Sequence, residues 1–184
     1  YDAHAARWHG PSVEDVDELF RTADVCLNVS GVNPLRDWMM QIPVRALIDT
    51  DPAFTQVRNC LDASALRSAQ RHNVFFSFAE NIGTADCTIP PDGLAWQPTR
   101  QPIVLEAWPV TAGRPGANFS TMLQWESYPA LSHEGRTYEM KSRSFEPYFD
   151  LPSSVEARLE LAIGGASAPR DQLARAGWIV RDPY

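Results

Sequence analysis

Two aspartates separated by one residue, Asp49 and Asp51, form the best acidic cluster in the sequence. They follow the apolar run 44–48, so both carboxylates are expected at the end of a strand. A carboxylate there can accept hydrogen bonds from substrate hydroxyls or act as a general base. A structural role is favoured over this one: Asp51 is a candidate helix N-cap before Pro52, and Asp49 would lie near the helix dipole. Both interpretations stay open.

Residues at the ends of other predicted strands extend this candidate site. Ser30 and Gly31 follow the run 25–29, where glycine permits close approach of a ligand to the backbone, although a tight turn needs glycine just as much. The segment 80–83 follows a third strand, and Trp125 ends the first strand of the second half. In parallel sheets, ligands bind beyond the carboxyl ends of the strands. We therefore take Ser30, Gly31, Asp49, Asp51 and Trp125 as substrate-binding candidates.

The other reactive side chains form no recognisable catalytic motif, because GxSxG, HExxH and Walker sequences are absent. Trp96 and Arg100 pair an aromatic face with a cationic fork that suits a sugar or phosphate, but such clusters more often pack a connector against a core. The four histidines are scattered over predicted termini and loops, where solvent exposure or local hydrogen bonding is expected: His4, His9, His72 and His133. No catalytic residue is assigned, and no metal or cofactor is expected.

The elements that must position these residues alternate between helix and strand. Helices are predicted after the N-cap Ser12, over 34–41 and over 52–71, and strands over 25–29, 44–48 and 74–78. The strand runs are apolar without alternation, which is typical of strands buried on both faces of a parallel sheet. Alternation of this kind predicts a doubly wound α/β fold.

Pro and Gly are concentrated between residues 80 and 118, which indicates a connector with one embedded strand at 103–107. Strands then follow at 119–125, 137–141, 159–163 and 178–180, with helices at 144–151 and 169–176. The prediction is an α/β chain of two Rossmann-like, three-layer halves with parallel sheets. Residues 1–79 belong to the first half, 80–118 to the connector and 119–184 to the second half.

Composition sets the class of protein and of partner. Apolar residues make up 44% of the 184 and charged residues 21%, as in ordinary globular proteins. The net charge of −7 argues against a nucleic-acid surface. No apolar run approaches the roughly 18 residues that would span a bilayer. Three widely separated cysteines (Cys26, Cys60 and Cys87) lack zinc-ligand spacing and predict buried thiols in the reducing cytoplasm.

Several segments, in this order, resemble a bacterial group of GT-B-type glycosyltransferases, and together they cover nearly all of residues 17–184. The matching phrases are ADVCLNVSG, IDTDPAFTQ, FFSFAENIG, CTIPPDGLAWQPTRQPIVLEAWP, FSTMLQWESY, TYEMKSRSFEPYFDLP with LELAIGG, and DQLARAGWIVRDP. The resemblance implies two Rossmann-like domains facing a cleft, with a sugar nucleotide on the second and an acceptor on the first. It places Ser30, Gly31, Asp49 and Asp51 on the acceptor side and Trp125 on the donor side.

The resemblance further implies that the beginning of the first domain and the end of the second lie outside this sequence. The chain would then be an internal, truncated GT-B fragment spanning the domain junction. We expect such a fragment to be inactive and to self-associate through an open sheet edge. The parent enzyme would transfer a sugar from a nucleotide sugar to an unknown acceptor, without bound metal. GT-B chemistry stabilises the leaving diphosphate electrostatically.

Two other interpretations remain open. The chain would be a small non-catalytic α/β domain that binds a ligand or serves as a scaffold. Alternatively, Asp49-Thr50-Asp51 matches the spacing of the aspartates in phosphatases of the haloacid dehalogenase type, with Asp49 or Asp51 as nucleophile. The downstream lysine and acidic loop of those phosphatases are not evident, so this third interpretation is the weakest.

Overall fold

The computed structural model describes residues 7, 9–10 and 13–183, so Ser12 and His4 lie outside the described residues. These residues form a mixed α/β fold with parallel sheets, as the helix and strand alternation predicts. The chain divides into two compact units between Pro102 and Ile103, inside the segment that the sequence assigns to a connector.

Unit 1 is built on a four-stranded parallel sheet in the order β1-β2-β3-β4. Its elements are α1 (Val13–Thr22), β1 (Val25–Val29), β2 (Val44–Asp49), α2 (Phe54–Leu61), α3 (Ala63–Ala69), β3 (Val74–Ser77) and β4 (Trp96–Pro98). Because these neighbouring strands are parallel, the carboxyl ends of β1, β2 and β3 lie at one edge of the sheet. The loops after these strands carry the predicted site residues of unit 1.

The prediction that β1 is buried on both faces is wrong. β1 has the first position in the order of the described sheet, and its alternate residues Val25, Leu27 and Val29 are between 50% and 63% exposed. Only Asn28, on the opposite face, is buried. In β2, which has a strand on each side, Ala46 and Leu47 are both buried, as the apolar run predicts.

The single helix predicted over 52–71 is two helices, because Asp62 ends α2 in an extended conformation and begins α3. The Asp62 carboxylate accepts the backbone N–H of Ser64 at 2.7 Å and so caps α3. Hydrogen bonds from the Ser64 side chain and, second, from its backbone N–H lower the pKa of Asp62. The helix predicted over 34–41 is reduced to one 3₁₀ turn, Asp37–Met39. Pro43 disfavours helical geometry at the residue before it.

The strand predicted at 103–107 is also wrong. That segment holds a 3₁₀ turn, Leu105–Ala107, and its apolar side chains Ile103, Val104 and Leu105 are more than 60% exposed. Pro102 and Pro109 flank it and cannot donate to a sheet. The strand of this region is instead β4, which pairs with β3 through Phe75 and Trp96.

Unit 2 holds a three-stranded parallel sheet in the order β5-β8-β9 and a separate antiparallel hairpin, β6-β7. Its elements are β5 (Phe119–Gln124), β6 (Leu131–His133), β7 (Arg136–Tyr138), α4 (Lys141–Ser144), β8 (Leu159–Gly164), α5 (Arg170–Arg175) and β9 (Ile179–Arg181). The helix predicted over 144–151 is replaced by α4 and two 3₁₀ turns, Glu146–Tyr148 and Leu151–Ser154. Each 3₁₀ turn contains a proline near its start.

The core of unit 2 lies on one face of its sheet. It consists of Trp125, Phe145, Leu161, Ile163, Leu173 and Trp178. Gly177 ends α5 with φ of +100°, and a Cβ added there would lie 3.0 Å from Pro152 Cβ. This agrees with its predicted C-cap position.

No helix among residues 13–183 is long and apolar enough to cross a membrane.

Candidate functional site

A cavity of about 510 Å³ lies at the carboxyl ends of β1 and β2, within unit 1. We call it the unit 1 cavity. Its walls include three of the predicted site residues, Ser30, Gly31 and Asp49, together with Asn28, Arg71 and His72. The parallel alignment of β1 and β2 brings these residues together, because Asn28 is in register with Leu47. Asp51 is not part of its walls.

Ser30 and Gly31 form a tight turn in the left-handed region, with φ of 61° and 62°. The Ser30 N–H donates to Ile48 O at 2.8 Å, and the Ser30 and Thr50 hydroxyls lie 2.5 Å apart. A Cβ at position 31 would lie 3.4 Å from Leu47 Cδ1. The glycine is therefore explained by turn geometry, while its position leaves backbone at the wall of the cavity.

Asp49 is a buried acceptor, 2% exposed, that ties three segments together. Oδ1 accepts the Asp51 N–H at 2.9 Å and the Thr55 hydroxyl at 2.7 Å. Oδ2 accepts the Gln56 amide at 3.0 Å and the Ser77 hydroxyl at 2.8 Å. Four donors to one carboxylate join the end of β2 to the start of α2 and the end of β3.

The prediction that Asp51 caps the following helix is wrong. α2 begins at Phe54, after Ala53, which has a positive φ of 73°. Gln56 supplies the side chain at this terminus, since its Oε1 accepts the Ala53 N–H at 2.8 Å. Asp51 instead donates its backbone N–H to Asp49.

His72 and Asn28 form a buried pair that the sequence does not reveal. Asn28 Nδ2 donates to His72 Nε2 at 3.0 Å and to Asn33 O at 2.8 Å. His72 Nδ1 lies 2.9 Å from Ala69 O. Because Nε2 accepts, the proton of the neutral ring is on Nδ1. Burial lowers the pKa of His72.

The sequence predicts solvent exposure or local hydrogen bonding for His72, and the structure has the second: Nδ1 contacts Ala69 O, while the ring is only 7% exposed. Position 72 lies three residues after the end of α3, and such a position is typical of a loop. The pairing with Asn28, 44 residues away, depends on the order of the strands.

A second cavity, of about 840 Å³, lies at the carboxyl ends of β5 and β8, within unit 2. We call it the unit 2 cavity. Trp125, the fifth predicted site residue, is in its wall, with Glu126, Tyr128, Arg143, Ser167 and Gln172. Trp125 is 8% exposed, and its ring packs edge-on against Phe145 at 5.9 Å. Trp125 therefore packs mainly in the core of unit 2 and presents little surface to the unit 2 cavity.

Acidic side chains outnumber cations in the unit 2 cavity. Arg143 pairs with Glu146 at 2.7 Å and with Glu139 at 3.6 Å. The hydrogen bond that Arg143 donates to Glu146 raises the pKa of Arg143. Glu126 adds a third carboxylate and accepts the Ser167 hydroxyl at 3.1 Å. One arginine facing three carboxylates gives the cavity a net negative charge.

No protein-family model, curated protein or solved structure matches this chain. The functional argument therefore depends on the two cavities themselves.

The remaining candidates have structural partners. The indole N–H of Trp96 donates to the Asp92 carboxylate at 3.0 Å, and its ring packs on Phe75. Arg100 forms an exposed ion pair with Glu80 at 3.1 Å. These contacts favour the packing interpretation of this segment.

The prediction of three buried thiols is wrong, because Cys60 is exposed on α2 and Cys26 and Cys87 are half-buried. Within the described part of the chain, no three His, Cys, Asp or Glu residues are grouped so that they could hold a metal ion.

Proposed function

We propose that these residues belong to a glycosyltransferase of the GT-B type, which moves a sugar from a nucleotide sugar to an acceptor. Parallel α/β sheets in both units are consistent with such an enzyme, but this fold alone hosts many functions. The proposal therefore depends on the chemistry of the unit 2 cavity.

The observation that carries the proposal is the combination of aromatic, carboxylate and amide groups at the carboxyl edge of the β5-β8-β9 sheet. Tyr128 offers a partly exposed ring for the apolar face of a sugar. Glu126 and Glu139 can accept hydrogen bonds from sugar hydroxyls, and Gln172 can both accept and donate. The cavity volume is within the range of small-molecule sites.

Charge decides which part of a nucleotide sugar the cavity suits. Arg143 is already paired with Glu139 and Glu146, and Glu126 adds further negative charge. A diphosphate would be repelled by this surrounding, whereas a neutral sugar would be accepted. We therefore assign the unit 2 cavity to the sugar moiety of the donor and place the diphosphate outside it.

In the transfer step, an acceptor hydroxyl attacks the anomeric carbon while the bond to the nucleoside diphosphate breaks. Positive charge develops on the sugar ring in this transition state. The carboxylates of Glu126 and Glu139 can stabilise that charge if the ring lies in the unit 2 cavity. No described residue is assigned as the base that removes the hydroxyl proton.

The test is saturation-transfer NMR on the chain with UDP-glucose, GDP-mannose, UDP and free glucose. We expect saturation of the sugar protons of at least one nucleotide sugar, stronger than that of its nucleoside protons. Glu126→Gln and Tyr128→Ala should each weaken this signal about tenfold, because each removes a direct contact. Glu106→Gln is the matched control, since Glu106 is exposed in the same unit and does not line the cavity.

Saturation confined to the nucleoside protons, or none with any of the four probes, would refute the sugar site in unit 2. An equal loss in the Glu106→Gln control would show a general effect of charge rather than a contact.

A second candidate function is non-catalytic ligand binding or a scaffold role, and the geometry of Asp49 favours it for unit 1. Both oxygens of this carboxylate are committed to four hydrogen bonds within the protein. Such a group is poorly placed to act as a nucleophile or base, which also argues against the phosphatase interpretation. Binding of a nucleotide sugar without release of the nucleoside diphosphate, in the presence of varied acceptor alcohols, would support this candidate over transfer.

A further inference from the structure

The buried pair of His72 and Asn28 is bound to the loop that follows β1. Asn28 Nδ2 donates to Asn33 O at 2.8 Å and to His72 Nε2 at 3.0 Å. A backbone carbonyl can only accept, so the amide nitrogen must face Asn33, and His72 Nε2 must then be an acceptor. The second ring nitrogen, Nδ1, lies 2.9 Å from Ala69 O and carries the proton of the ring. This arrangement therefore requires a neutral imidazole.

A proton added at His72 Nε2 is incompatible with the arrangement, because two donors would then face each other. Asn28 can accept from the protonated ring only if its amide flips and brings Oδ1 to the position that Nδ2 has now. Oδ1 is buried without a partner among the described residues, so the flip breaks no hydrogen bond of this oxygen. It does break the hydrogen bond to Asn33 O and leaves two carbonyl oxygens facing each other. Protonation of the ring therefore favours movement of Asn33 away from β1.

The hydrogen bond that would be lost ties down part of a cavity wall. Residues 31–34 are exposed, and Leu35 is the next buried residue of the chain. Residues 33–35 line the unit 1 cavity and also a neighbouring cavity of about 450 Å³ beside β1. This short segment therefore separates two cavities, and its displacement would join them.

The charges around His72 set the pH range in which the pair responds. The charged or titratable groups that face this region are Arg45 and Asp49 of β2, Cys26 of β1, Arg58 of α2, and Arg71 with its partner Asp37. Burial has the largest effect and lowers the pKa of His72, and the cations Arg45 and Arg71 act in the same direction. The ring is thus neutral at neutral pH and gains a proton only below the usual value of about 6.5.

We propose that His72, Asn28 and Asn33 form a pH-operated latch on the wall between these two cavities. With a neutral ring the latch is closed, and residues 33–35 are tied to β1. Uptake of a proton by the ring flips the Asn28 amide, releases Asn33 and joins the cavities. The proposal depends on neither the sugar site nor the transfer reaction.

The test is a pH titration of the ¹⁵N- and ¹³C-labelled chain by NMR, from about pH 7.5 to about pH 4.5. The His72 ring, the Asn28 side-chain amide and the backbone amides of residues 32, 33 and 35 should shift with one shared midpoint below about pH 6.5. The amides of Trp96 in unit 1 and of β8 in unit 2 are the references and should not follow this midpoint.

Two variants separate the latch from a general effect of acid. His72→Gln removes the titrating group, so the signals of residues 32–35 should stay constant over the same pH range. In Asn28→Ala the ring should still titrate, but the amides of residues 32–35 should no longer follow it. His133→Gln is the matched control, because this histidine belongs to the hairpin of unit 2 and the shared midpoint should be unchanged. The titration of the unchanged chain decides by itself where a variant does not fold.

Titration of the ring without a matching change at residues 32–35 would overturn the proposal, as would a ring that stays neutral down to the pH at which the chain unfolds. Simultaneous loss of all unit 1 signals at one pH would also overturn it, because the response to acid would then be unfolding rather than local opening. The sugar titration reports on unit 2, so the two proposals can fail separately.

Discussion

Replacing Asp49 by asparagine tests whether this carboxylate holds unit 1 together. Each carboxylate oxygen accepts from one N–H donor and one hydroxyl: Asp51 and Thr55 at Oδ1, Gln56 and Ser77 at Oδ2. A hydroxyl can turn and accept from an asparagine amide, but an N–H cannot. Either orientation of the new side chain therefore leaves one N–H donor facing another.

The cost follows from this count. One buried, unpaired donor costs about 1–3 kcal/mol, and the hydrogen bonds that remain lose the strengthening of a charged acceptor. Gln56 cannot relieve the conflict by rotating its amide, since its Oε1 accepts the Ala53 N–H. We expect Asp49→Asn to destabilise unit 1 by about 2–4 kcal/mol.

Amide hydrogen exchange read by mass spectrometry can measure this in the intact chain. Peptides covering β2 and β3 should exchange roughly 30- to 700-fold faster in Asp49→Asn, because about 1.4 kcal/mol corresponds to tenfold. Peptides from β8 and α5 in unit 2 serve as the internal reference. Asp86→Asn is the matched substitution, since Asp86 is exposed, and it should change stability by less than about 0.5 kcal/mol.

A change below about 0.5 kcal/mol in Asp49→Asn would refute the structural role. The binding or catalytic interpretation of Asp49 would then be favoured over the structural one.

Three further outcomes are expected. Burial lowers the pKa of His72 in the folded chain, so as the pH falls the unfolded chain binds a proton at this residue before the folded chain does. The stability of unit 1 in urea should thus be constant above about pH 6.5 and fall as the pH drops below it, and His72→Gln should flatten this dependence. Gly177→Ala should lower unit 2 stability by about 1–3 kcal/mol, because of the positive φ and the contact with Pro152, whereas Gly113→Ala should be neutral in the same thermal melts. Arg170 donates hydrogen bonds to the backbone carbonyls of Ile163 and Gly165. Arg170→Lys should therefore lower the stability of unit 2 by about 1–2 kcal/mol and speed amide hydrogen exchange in the residues after β8. Unchanged exchange there would count against this anchoring role.

The strands of unit 1 could be predicted because short apolar runs between turn residues are a local signal. β1 and β2 begin at the predicted residues, and β2 and β3 end within one residue of the prediction. The exposure of Leu27 could not be predicted, since it depends on which strand comes first in the strand order of the described sheet. The break at Asp62 had a local signal, an N-cap residue two positions before a serine, but the apolar stripe of the longer helix outweighed it.

The candidate site was predictable only in part, for a similar reason. Ser30, Gly31 and Asp49 could be placed at strand ends from the sequence, and they do share one cavity. Asn28 and His72 gave no signal, because their contact joins positions 44 residues apart through the register of β1 and the end of α3. The role of Asp51 was misjudged because glutamine at position 56 provides the terminal contact of α2.

The parallel pairing of β5 with β8 has a consequence for synthesis of the chain. Phe119 pairs with Leu159, 40 positions later, whereas the hairpin β6-β7 closes within eight residues. At about 5–20 residues per second, β5 waits roughly 2–8 s for its partner after it is made. The hairpin forms in microseconds and shortens the stretch still to be closed. Phe119 and Met122 remain more than 70% exposed even after pairing. Slowing translation between these strands should thus lengthen the time for which nascent chains offer β5 to chaperones or to each other.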